Sequence, residues 1–128
     1  MMSLWLMLVV TLAAADHRGV IGTWEGESIC TVKNSPCNDE HVVYEITRGE
    51  NEQVFVEAHK IAQGEKQSMG KLTCQWKAVS RELGCVAPIS RSNHWDFRIS
   101  EDGSRMTGTL LLDDRKLLYR RVDVRRRR

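Results

Sequence analysis

Along nearly the whole chain after Ala15, apolar and polar side chains alternate residue by residue, and no long stretch carries apolar residues at helical spacing. A chain patterned this way forms sheet, because successive strand residues point to opposite faces and only one face needs to meet a core. The alternation divides into eight short runs: 20–32, 40–48, 53–61, 69–77, 83–87, 94–100, 105–112 and 117–124. On the first, Gly22, Trp24, Gly26 and Ser28 share one face, and the glycines leave room beside the indole. The second puts Val42, Tyr44 and Ile46 inward and Val43 outward. Leu72, Cys74 and Trp76 align on the fourth, and Trp95, Phe97 and Ile99 on the sixth. Polar turn residues such as Gly49-Glu50-Asn51 and Glu101-Asp102-Gly103 separate the runs, and Pro88 ends the fifth. Short connections imply antiparallel neighbours. A meander of this kind removes its exposed edges by closing, so the predicted fold is all-β: an eight-stranded antiparallel up-and-down barrel.

Residues 1–15 carry no charged side chain, run apolar from Leu4 to Val10 and end in Ala13-Ala14-Ala15. This is the shape of a secretory signal peptide, and the apolar run is shorter than the roughly 18 to 20 residues that span a bilayer. Cleavage after Ala15 would remove 15 of 128 residues and leave 113, enough for one domain at 16–124 followed by a basic tail at 125–128. Such a chain is periplasmic or secreted and keeps no stable membrane span. Its four cysteines suit an oxidising compartment. Cys30 with Cys37 and Cys74 with Cys85 each flank a turn, which favours these two disulfides among three possible connectivities. Four thiolates on one zinc ion are the competing arrangement, but neither pair has zinc-ribbon spacing. No cofactor is expected.

The Gly22-Thr23-Trp24 tripeptide, with Arg120 among apolar residues on the last run, resembles the signature of the lipocalin-like, or calycin, barrels. In that group a Gly-x-Trp on the first strand packs under an Arg from the last. The resemblance therefore implies a closing seam made by Gly22, Trp24 and Arg120, and a register slip of one residue would put Arg121 there instead. The longer run from Gly22 through Glu25-Gly26-Glu27-Ser28-Ile29-Cys30 to Ser35-Pro36-Cys37 also looks like small exported bacterial proteins of uncharacterised function.

Trp24, Tyr44, Trp76, Trp95 and Phe97 all fall on inward faces. They line a pocket for a small apolar ligand, or else they fill the interior, since a barrel of eight strands has little more room than its own side chains need. A binding protein with no catalytic residues is the leading expectation. The alternative is a solid barrel that binds a protein partner through the hairpin at 34–39, between Asn34 and Asp39, which Pro36 and a Cys30–Cys37 bridge would stiffen. His41, His59 and His94, with Glu57 and Asp96, are the groups that suggest acid–base chemistry or a metal. No catalytic motif accompanies them, Ser28 has no assignable histidine, and outward-facing side chains of this kind are expected to be solvated, so no metal site is assigned. The chain carries +2 at neutral pH, and without Arg125, Arg126, Arg127 and Arg128 it would carry −2. This tail has no interleaved aromatics, so nucleic acid is not an expected partner, and a solvated, disordered end is.

Overall fold

A computed structural model describes residues 5, 16–87 and 92–128. The expected signal peptide lies outside these residues except for Trp5, and Pro88 is also outside them. Eight antiparallel strands close into an up-and-down barrel in chain order: β1 (Gly22–Cys30), β2 (Glu40–Arg48), β3 (Gln53–Ala62), β4 (Glu65–Lys77), β5 (Glu82–Val86), β6 (His94–Ile99), β7 (Arg105–Leu112) and β8 (Leu117–Arg126). β1 pairs with both β2 and β8, which closes the sheet. The architecture agrees with the alternation and is consistent with a lipocalin-like fold. Among the described residues no helix is long and apolar enough to cross a membrane.

Two chain ends differ from expectation. β1 begins at Gly22 rather than at residue 20, because 18–20 form a turn in which the His17 carbonyl accepts from the Val20 and Ile21 amides. That turn seals one end of the barrel. The Trp24 indole donates to the Val20 carbonyl at 3.0 Å, and the Trp76 indole donates to the Asp16 carbonyl at 2.8 Å. At the other terminus β8 runs to Arg126, and the Arg127 amide bonds the Thr23 carbonyl, so most of the arginine run is held in the sheet rather than free.

The inward faces pack as the pattern requires. Trp24, Ile46, Val54, Val56, Trp76, Leu83, Met106 and Val124 are almost wholly buried, each large side chain contributing about 1.5–3 kcal/mol. Two glycines are required by close approach: a Cβ on Gly26 would lie 2.1 Å from the Asp123 carbonyl oxygen, and one on Gly108 would lie 2.3 Å from the Phe97 ring. Val43 faces outward as expected yet is also buried. Its cross-strand partners Glu25 and His59 each belong to a polar cluster on the same outer face.

Both expected disulfides form, Cys30–Cys37 and Cys74–Cys85, and no described cysteine is free, which removes the four-thiolate zinc arrangement. Cys74 and Cys85 stand opposite each other on β4 and β5. The bridges suit an oxidising, extracellular type of environment.

Candidate functional site: a cavity in the open half of the barrel

The interior is solid at one end and hollow at the other. Trp24 and Trp76 hold the 16–20 turn through their indole nitrogens, and neither lines the cavity. Tyr44, Trp95 and Phe97 do line it, together with Val42, Leu72 and Leu110, around about 410 Å³ of space. The five aromatics named from the alternation thus separate into a closing pair and a cavity-lining trio.

The trio forms one aromatic wall. Trp95 and Phe97, two residues apart on β6, stack with centroids 6.1 Å apart and 6° between planes. Tyr44 meets Phe97 edge-on at 5.9 Å. The Tyr44 hydroxyl is buried without a hydrogen-bond partner, and its burial pushes its pKa up, so it is a neutral donor at any ordinary pH. An unpartnered hydroxyl beside an apolar hollow is a group that an enclosed molecule can satisfy.

At the mouth stands a charged pair. Arg120 on β8 donates from Nη2 to Glu40 Oε1 at 2.8 Å, and from Nη1 to the Ser28 hydroxyl at 3.3 Å and carbonyl at 3.4 Å. The two charged side chains are 11% and 20% exposed, so the pair is largely withdrawn from water. Glu40 and Arg120 also line an outer hollow of about 320 Å³ under the loop that carries Pro36, Cys37 and Asp39. Sequence reasoning does not single out Arg120, Ser28, Glu40 and Leu110 as ligand-lining residues. The inward position of Ser28, and of Arg120 among apolar neighbours, is the available signal.

The assignment of Arg120 to the seam is corrected. Arg126 is the arginine over the Trp24 indole, 4.4 Å from guanidinium carbon to ring centroid, and Arg121 is exposed on the outer face. Gly22 sits beside Arg126, not Arg120: a Cβ built on it would lie 3.1 Å from Arg126 Nη1.

The histidine and carboxylate pairs fare differently. His94 and Asp96 do not converge, since Asp96 is held by Arg115 and His94 faces Asp114 at 3.8 Å. His41 is clasped by Glu25 at 2.6 Å and Glu27 at 2.8 Å, and these hydrogen bonds raise its pKa. His59 is not solvated, as an outward residue was expected to be, but only 7% exposed. Its Nε2 lies 3.5 Å from Glu57 and 3.5 Å from Glu45, which joins the pair from β2.

The loop at 34–39 is preorganised. Asp39 Oδ1 accepts from the Cys30 amide at 2.8 Å, the Ser35 hydroxyl donates to the Val32 carbonyl at 3.0 Å, and the disulfide closes the base. No residue of its tip is an exposed large hydrophobic.

No protein-family model matches this chain, and no curated protein matches it either.

Proposed function

We propose that this protein is an exported, lipocalin-like binding barrel, without catalytic activity, that encloses one small apolar molecule in the open half of its interior. The observation that carries the reading is the cavity of about 410 Å³ walled by Tyr44, Trp95, Phe97 and Leu110. Its size falls within the range of about 300–1,000 Å³ that small-molecule sites occupy, with a mostly apolar lining and few polar groups. The Tyr44 hydroxyl and the Arg120–Glu40 pair supply those polar groups and orient a ligand that carries one hydrogen-bonding end. Chemistry on the bound molecule has little to draw on, since the Ser28 hydroxyl is engaged by Arg120.

Protein binding through the 34–39 loop is the second reading, favoured by the loop's bridge and hydrogen bonds. A tip without a large apolar anchor argues for placing it second.

Native mass spectrometry of the oxidised protein, purified from its own compartment, tests the first reading. A retained small molecule that leaves on denaturation is the expected result. A bare chain that also fails to take up a neutral naphthylamine probe would overturn it.

A further inference from the structure

We propose that Glu45, Glu57 and His59 form a binding site for one zinc-type divalent cation on the outer wall of the barrel, independent of the interior cavity. The three residues come from β2 and β3, where Glu45 stands directly opposite Glu57 and His59 follows two residues along the same face. One ligand atom from each lies within 4.8 Å of the others.

The central observation is a buried nitrogen that faces two carboxylates without closing a hydrogen bond of normal length on either. His59 Nε2 makes no hydrogen bond, although its ring is almost fully enclosed and the atom is out of reach of solvent. It points between two carboxylates, Glu45 Oε2 and Glu57 Oε1, and stands 3.5 Å from each. Buried polar nitrogens normally close on a hydrogen-bond partner, so one that stands back at 3.5 Å from two anionic oxygens requires a reason.

The chain contains its own comparison. His41 also lies between two carboxylates, and there the ring nitrogens close to 2.6 Å and 2.8 Å, the lengths of charge-assisted hydrogen bonds. Around His59 the same kinds of group stand back. Zinc bonds of about 2.0–2.1 Å at the tetrahedral angle separate neighbouring ligand atoms by about 3.3–3.4 Å. The two 3.5 Å spacings come close to two edges of that tetrahedron, and the third, between the carboxylates, lies within 4.8 Å. An octahedral magnesium site would draw neighbouring ligands to about 2.8–3.0 Å, and calcium takes oxygen ligands rather than an imidazole.

Neighbouring structure supports the same geometry. Lys66 Nζ holds Glu45 Oε1 at 2.6 Å, which fixes the carboxylate and leaves Oε2 turned to His59, the task that outer partners perform around metal ligands. The β3–β4 register shifts between Ala58 and His59, and such a bulge re-aims the side chain beside it. Glu57 is half exposed, which leaves an entry path and a fourth position for water. With Lys66 on Glu45, the two carboxylates leave one net negative charge to attract the dication.

The test uses the oxidised full chain without an affinity tag, stripped with chelator and titrated calorimetrically with zinc sulfate, with cobalt(II) as a spectroscopic stand-in. The expected result is one zinc per chain, and visible cobalt bands of tetrahedral type. Glu57→Gln and His59→Gln should each weaken binding at least about tenfold, whereas His41→Gln should leave it unchanged. Because His59 is buried and its variant could fail to fold, the half-exposed Glu57 gives the deciding substitution. Absence of stoichiometric binding, unchanged affinity in Glu57→Gln, or loss of binding in His41→Gln would overturn the site.

Discussion

Arg126 on the last strand lies over Trp24 on the first, 4.4 Å from guanidinium carbon to indole centroid, and the two residues are direct partners in the β1–β8 register. The same guanidinium donates to the carbonyls of Ile21, Gly19 and Gly103 at 2.6, 2.7 and 3.1 Å. One side chain therefore ties the closing seam to the turn that seals the barrel. Trp24→Ala should lower stability by about 3–5 kcal/mol, the range for a buried aromatic. Arg126→Ala should cost about 2 kcal/mol through lost cation–π and charged hydrogen bonds. Chemical denaturation checks both, and an unchanged midpoint for Arg126→Ala would mean that the seam does not depend on it.

Arg120 has a different task. Its pairing with Glu40 is largely buried, so removing one partner leaves the other charge without compensation. Arg120→Leu should destabilise by about 3 kcal/mol, near the lower limit for a buried pair, and adding Glu40→Leu should restore most of the loss. A double variant no more stable than Arg120→Leu alone would show that the pair does more than neutralise itself.

The His41 cluster makes stability depend on pH. The hydrogen bonds that His41 donates to Glu25 and Glu27 raise it above its ordinary value of 6.5, and those that Glu25 accepts from His41 and Arg127 lower it below 4.5. The histidine's contribution is complete below 6.5 and is lost as pH rises through its elevated folded value. Glu25's contribution is complete above 4.5 and is lost as pH falls through its depressed one. The difference in melting temperature between the protein and its His41→Gln variant should be greatest between these limits and shrink on the alkaline side. A difference that stays constant with pH would remove the cluster's role.

Ala58 lines the cavity from β3 with a small side chain. Ala58→Phe should fill part of the hollow, reduce uptake of a neutral naphthylamine probe by about tenfold or more, and leave the melting temperature equal or higher, since added apolar contact occupies open space. Equal probe uptake would place binding outside the barrel.

Alternation and turn chemistry make the strands legible in the amino-acid sequence. β2 and β7 have the expected limits, Val42, Tyr44 and Ile46 face inward, and both cysteine pairs bridge the turns that they flank. These are local properties: a period of two assigns each side chain to a face, and a turn assigns each strand to its neighbour. Height along the barrel is not local. It follows from the stagger with which the closed sheet meets itself. That stagger sets Arg126, not Arg120, opposite Trp24, and it sets Arg120 opposite Cys30 at the open end. All five aromatics share one core, but Trp24 and Trp76 bond the 16–20 turn while Tyr44, Trp95 and Phe97 line the hollow. On the outer wall, cross-strand register brings Glu45 to the Glu57 and His59 pair. Alternation along each strand assigns residues to a face. Strand register, and closure of the barrel at the β1–β8 seam, set which of them meet.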